Sequence, residues 1–146
     1  MKKFDVIVIG AGASGLMAAG RAGELGRNVL LIEKMKRPGR KLAITGKGRC
    51  NITNTVPQAE FIKQINPDGQ FLQSAFSRFY SPQLIEHFHK IGLPTIEERG
   101  LRVFPKSGKA LDVVDALVNW CKKSKVEIVT NTRVTQILTE NKQVTE

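Results

Sequence analysis

An α/β fold built on a parallel sheet is predicted by three features of the first 33 residues. An apolar run at 6–9 leads into Gly10-Ala11-Gly12-Ala13-Ser14-Gly15, a helical pattern rich in small residues (Ala18, Ala19, Ala22) follows, and a second apolar run at 29–32 closes on Glu33. Strand, helix and strand joined in that order make a βαβ unit, whose two strands lie parallel.

Each glycine of the corner has a mechanical task. Gly10 permits the tight strand-to-helix turn, Gly12 leaves the backbone bare where a pyrophosphate would approach, and Gly15 lets helix and strand pack closely. The turn Gly10, Ala11, Gly12, Ala13, Ser14, Gly15 would present backbone N–H groups and the positive end of the helix dipole to phosphates. Glu33, roughly twenty positions on, is placed to accept hydrogen bonds from an adenosine ribose, and its charge disfavours a 2′-phosphate there. The chain therefore reads as a Rossmann-like FAD/NAD(P)-binding domain. A βαβ unit whose glycines serve packing alone would not require that acid. A secretory signal fits poorly, because Asp5 and the early glycines interrupt the apolar run that follows Lys2 and Lys3.

Composition sets outer bounds. The 146 residues, 41% hydrophobic and 25% charged, suit an ordinary globular chain, and no apolar run approaches the roughly 20 residues of a membrane span. Cys50 and Cys121 lie far apart without metal-ligand spacing, which points to reduced thiols, a cytoplasmic protein and no metal site. The net charge of +10, from 23 basic and 13 acidic residues, is the unusual bulk property. Seven of the basic residues (Lys34, Lys36, Arg37, Arg40, Lys41, Lys47 and Arg49) fall between Glu33 and Cys50, where a dinucleotide's phosphates would be near. Aromatic residues are not interleaved with them as in single-strand RNA readers, so a small anionic ligand is favoured over nucleic acid.

The segment 34–54, KMKRPGRKLAITGKGRCNITN, reads as a polar cofactor loop: Pro38-Gly39 forces a turn, and Gly46 and Gly48 allow positive φ. GAGASG, GRKLAITGKGRCNITN and the later GLRVFPKSGKALDVVDAL together resemble a bacterial family of NAD(P)/FAD-dependent oxidoreductases that includes aminoacetone oxidases and bile-acid-related reductases. The resemblance runs from Asp5 to the end of the chain. It implies that Gly10, Gly12, Gly15 and Glu33 hold the ADP half of FAD, and that Arg40, Lys41, Gly46, Gly48, Arg49, Cys50 and Asn51 line the pyrophosphate and flavin end. It also implies an adenine contact through the backbone of Val134. Relatives often carry a glycine-richer loop where this chain has Lys47. No catalytic acid or base is carried over.

Residues 57–92 read as short amphipathic helices (59–65, 71–79 and 83–91) inserted beside the nucleotide core, with Phe71, Phe76, Phe79, Tyr80 and Phe88 mostly as core. Runs at 95–98 and 101–104 flank Arg99-Gly100 as a hairpin. A helix over 109–123 buries Ala110, Val114, Leu117, Val118 and Cys121, with strands at 126–129 and 134–138, a turn at 140–142 and another strand from Val144. The expected divisions are 1–56 (βαβ unit and cofactor loop), 57–108 (helical insertion and hairpin) and 109–146 (helix and the start of a β-meander). A meander stopped in mid-strand leaves an open edge, so an N-terminal part of a longer protein is expected.

The function these residues point to is an FAD-dependent oxidoreductase passing hydride between flavin and a small organic substrate, with NAD(P)H a possible co-substrate. Arg49 or Lys41 would supply positive charge to the reduced flavin. The alternatives are an NAD-binding oxidoreductase without flavin, since Glu33 suits either dinucleotide, and a flavoprotein acting on tRNA.

Overall fold

The computed structural model describes residues 2–141, 143 and 144. In chain order the elements are β1 (Val6–Ile9), α1 (Ala13–Glu24), β2 (Val29–Ile32), α2 (Arg40–Gly48), β3 (Thr53–Asn54), α3 (Gln58–Lys63), a 3-10 turn (Gly69–Leu72) and α4 (Gln73–Phe76). There follow α5 (Ser81–Lys90), β4 (Thr95–Glu98), β5 (Arg102–Pro105), α6 (Ala110–Lys123), β6 (Glu127–Val129), β7 (Thr139–Glu140) and β8 (Gln143–Val144). They divide into two compact units, 1–40 with 117–146, and 41–116. The segment 41–51 thus belongs to the inserted unit.

The first unit is the predicted α/β core. β1, β2 and β6 form a parallel sheet in the order β1-β2-β6, in register Val6↔Val29 through Ile9↔Ile32 and Leu30↔Glu127 through Ile32↔Val129. Val29 and Leu31 are fully buried, as an apolar run in a parallel sheet requires. α1 supplies Leu16 and Ala19 to the core and meets the last turns of α6. There Trp120 donates its indole N–H to Glu24 Oε1 at 2.8 Å, and a Cβ on Gly20 would lie 2.2 Å from the Trp120 ring. Cys121 donates its S–H to the Leu16 carbonyl at 3.3 Å. Burial pushes that thiol up to about 11, which leaves it an inert core residue. On β1, Ile7 and Ile9 remain about half exposed.

The second unit is built on an antiparallel sheet in the order β3-β5-β4, with the hairpin register Thr95↔Pro105 to Glu98↔Arg102. Its middle strand places Val103 and Phe104 in the core. Phe61, Phe76 and Tyr80 form an aromatic cluster with centroids 5.3–5.8 Å apart, Phe61 edge-on to both partners and Phe76 tilted against Tyr80, and Tyr80 donates its hydroxyl to the Val56 carbonyl at 2.8 Å.

Several expectations are corrected. The cofactor loop is helical at its start, because Arg40-Lys41-Leu42-Ala43 are strong helix formers placed directly after the Pro38-Gly39 turn. Phe71 and Phe79 are exposed, and on α6 Val113 and Trp120 complete the buried stripe while Val118 is only half-buried. Leu101 sits in the hairpin turn with φ of 58°, so β5 starts one residue later than expected. No strand forms over 134–138, since a strand needs a neighbour for its backbone groups and none is paired there; Ile137 and Leu138 stay exposed. The start of a β-meander is reduced to the two-residue ribbon β7–β8. Of the expected 140–142 turn, Lys142 lies outside the described residues, as does the end of the strand expected from Val144.

Candidate nucleotide site

At the carboxyl ends of β1 and β2 the backbone is tied into one fixed corner. Gly10, with φ of +97°, donates its N–H to the Ile32 carbonyl at 2.7 Å, and Gly39 donates to the Ala11 carbonyl at 2.8 Å. A Cβ on Gly15 would stand 1.8 Å from the Gly10 carbonyl oxygen, so only glycine allows α1 this close to the turn. Gly12 differs: it is the N-cap of α1, no side chain caps the helix there, and a Cβ on it would meet nothing within 4 Å. The space in front of Gly12 is therefore open, facing a helix N-terminus free of acidic residues in its first turn. Ala13 and Ser14 are exposed beside it.

Glu33 is the keystone of this corner. Its Oε2 accepts the Ala11 N–H and its Oε1 accepts the Met35 N–H, both at 2.8 Å. Its own N–H donates to the Val129 carbonyl at 2.8 Å, and its carbonyl accepts the Thr132 N–H at 3.0 Å. One residue thus joins the glycine turn, β2 and the segment after β6. A carboxylate has about four lone-pair sites and only two are used, so two remain for hydroxyl donors.

Beside Glu33 lies a pocket of about 370 Å³ lined by Ile9, Gly10, Ile32, Glu33, Lys34, Thr132, Arg133 and Val134. Its size falls at the lower end of small-molecule sites, and it opens at the carboxyl ends of parallel strands, where such folds bind ligands. Gly10, Glu33, Lys34 and Val134 were singled out from the sequence; Ile9, Ile32, Thr132 and Arg133 were not. Thr132 and Arg133 could have been found from their place directly after the third parallel strand.

Arg40 ends the first segment of this unit and is exposed. The remaining sequence candidates lie in the second unit. Lys41 is exposed on α2, which is regular only through residue 44: Thr45 is extended, and Gly46 and Lys47 are left-handed, as are Gly48 and Cys50. The Cys50 N–H closes the turn on the Thr45 carbonyl at 2.9 Å. Cys50 is 1% exposed and burial raises its thiol, so any ligand contact there has to come from the backbone. Asn51 is exposed. Arg49 forks onto the two carboxylate oxygens of Glu98, one bond at 3.2 Å and the other closer, with its guanidinium 4.4 Å from the centre of the Phe104 ring. The Arg49 bond holds the Glu98 carboxyl below its ordinary range. The cation expected to serve a reduced flavin is thus already balanced by an acid.

A family model, the HI0933-like protein Rossmann domain, matches residues 4–146. The chain belongs to the HI0933-like family. Its relatives include flavoprotein oxidoreductases. The chain is 40% identical over 126 residues to the ribosomal RNA dihydrouridine synthase of Escherichia coli, covering 86% of this chain and 31% of that protein. It is 33% identical over 129 residues to the 3-dehydro-bile acid delta(4,6)-reductase of Clostridium scindens, covering 87% of this chain and again 31% of the relative. The HI0933-like chain therefore spans about a third of the length of these curated relatives. Among solved structures, the 3-ketosteroid-delta4-(5alpha)-dehydrogenase of Rhodococcus jostii superposes with a TM-score of 0.65 at 16% identity, over 94% of this chain and 40% of that one, a likeness of fold. No helix among the described residues is long and apolar enough to cross a membrane.

Proposed function

We propose that this chain binds the adenosine diphosphate half of FAD and forms part of a flavin-dependent oxidoreductase. The observation that carries the proposal is the pairing of Glu33, which holds the glycine corner with both oxygens and keeps lone pairs for a ribose, with the open space before Gly12. The residues present fit the group: a bare helix N-terminus for the pyrophosphate, an acid for the ribose hydroxyls, and a pocket reaching Val134 for the base. Ala13, Ser14 and Lys34 join that set, Lys34 as a cation at the pocket rim; Gly10 and Ala11, whose N–H groups are taken by Ile32 and Glu33, shape the corner instead of donating to phosphate as the sequence suggested. We assign Arg40, Lys41, Gly46, Gly48, Cys50 and Asn51 to the pyrophosphate and flavin end on the family resemblance, supported by the left-handed backbone of that turn, with Arg49, engaged by Glu98, supporting the turn from behind.

When bound, the flavin supplies two-electron chemistry; the chain's own residues bind it, orient it and exclude water. NAD(P)H as the reductant is part of this proposal. The test is the visible spectrum of the intact protein. A yellow protein, or a colourless one that gains flavin absorbance with FAD, is expected. A folded protein that stays colourless and takes up no FAD, yet binds NADH, overturns the flavin reading in favour of a bare NAD site.

For the substrate, a base in ribosomal RNA is the reading that two observations favour over a free small molecule. Two relatives, at 40% and 33% identity, are named ribosomal RNA dihydrouridine synthases, and the net charge of +10 suits a polyanion. This departs from the preference against nucleic acid that the absence of interleaved aromatics suggested. Mass spectrometry of ribosomal RNA from cells with and without the gene tests it. Loss of a dihydrouridine on deletion is expected, and an unchanged modification profile returns the substrate to the small molecules.

A further inference from the structure

The turn over residues 45–51 is under backbone strain that its own sequence does not relieve. Lys47 and Cys50 carry φ of 56° and 60°, a left-handed conformation that a side chain's Cβ disfavours. The two short turn bonds, Cys50 to Thr45 and Arg49 to Gly46 at 3.2 Å, are an incomplete compensation. The further restraint comes from outside the turn: Arg49 is clamped between the Glu98 carboxylate on β4 and the face of Phe104 on β5. A forked guanidinium–carboxylate pair fixes direction as well as distance, and the ring beneath removes the remaining freedom of the guanidinium plane.

We propose that Glu98 is a positioning residue for cofactor binding, acting through Arg49 to hold the 45–51 turn in its left-handed form. Arg49 then serves as a strut, and the backbone and neighbouring side chains of the turn meet the ligand. The inference rests on the assignment of this turn to FAD under the proposed function.

The test is made on the intact protein with FAD bound, comparing native, Glu98→Gln, Glu98→Asp and the double variant Glu98→Gln with Arg49→Gln. Glu98→Gln releases FAD about tenfold faster while the melting temperature of the cofactor-free protein stays within a degree or two. Glu98→Asp, which keeps the charge, restores part of the retention. The double variant is no worse than Glu98→Gln alone, because both changes remove the same clamp. Trypsin cuts the cofactor-free Glu98→Gln protein after the exposed Lys47 faster than native. Native-like FAD release from Glu98→Gln, or a loss fully accounted for by lower melting, overturns the proposal. A native protein that never holds FAD overturns instead the reading on which it rests.

Discussion

Two of the chain's glycine-bearing turns, at 10–15 and 45–51, are stabilised in opposite ways. In the first, the one left-handed residue is a glycine, Gly10, and the corner is held by backbone bonds and a carboxylate that accepts two N–H groups. In the second, left-handed residues include Lys47 and Cys50, and the restraint is an ion pair between side chains 49 positions apart in sequence. The carboxylate of the first corner grips backbone N–H groups that stay in place whatever the neighbouring side chains are, whereas the second turn depends on two side chains meeting each other. A substitution in the first corner therefore disturbs the α/β core itself, while one at the ion pair loosens the second turn alone.

The largest expected effect breaks the first corner. Gly15→Ala drives a methyl into the Gly10 carbonyl, a backbone atom that cannot swing aside, so α1 must move. A loss at or above the roughly 1–3 kcal/mol usual for overpacking is expected in denaturant titration. A native-like midpoint would show that α1 is not held against the turn. Gly12→Val provides the contrast, because its side chain enters open space: the fold should melt as native while FAD retention is abolished. If both variants unfold alike, the two glycines do not have separate tasks.

Glu33→Ala comes next. It strips partners from the Ala11 and Met35 N–H groups, at about 1–3 kcal/mol of stability, and removes the proposed ribose acceptor. Sequence alone suggests only the second effect, so a combined drop in melting temperature and FAD affinity is the sharper expectation. Glu33→Gln should fall between, since an amide keeps one acceptor oxygen.

Acid tests the ion pair of the second turn. The Glu98 carboxyl is held below its ordinary value of 4.5 mainly by the Arg49 bond, with Arg102 a further nearby cation. A lowered value means the clamp contributes fully above that ordinary value and is lost as pH falls from about 4.5 through the lower value of the folded protein. Tryptic nicking cannot be followed in acid, so pepsin is the appropriate probe: cleavage in the 45–51 region should accelerate across that range in the native protein. In Glu98→Gln it should already be fast at the upper end. A native profile flat across the range would show that the pair does not restrain the turn.

The two turns also differ in how far they can be read from sequence. β1, α1 and β2 are periodic over neighbouring residues, and the positions of Gly10, Gly12, Gly15 and Glu33 follow from that local pattern. That Glu33 also binds the turn through Ala11 and Met35 is a matter of side-chain direction, which no spacing carries. In the second turn the decisive partner, Glu98, lies on a strand with two exposed neighbours, Ile96 and Glu97, and nothing near Arg49 in sequence indicates it. The apparent strand at 134–138 failed for a related reason: β-branched residues such as Val134, Thr135 and Ile137 suit a strand locally, and only a paired neighbour makes them one.

The smallest effect, and the cleanest probe of strain, is Lys47→Gly. Lys47 holds a left-handed φ of 56°, a conformation that glycine adopts at no steric cost. Replacing lysine removes a penalty of about 1 kcal/mol in the folded turn but gives the unfolded chain more freedom, an offset of about 0.4–1 kcal/mol. The expected net change is therefore within about 0.5 kcal/mol of zero by denaturant titration, despite the loss of a side chain. Combined with Glu98→Gln, however, Lys47→Gly should recover part of the lost FAD retention, since a turn that is at rest in its left-handed form needs less clamping. A double variant that releases FAD as fast as Glu98→Gln alone would mean that strain at Lys47 is not what the clamp restrains.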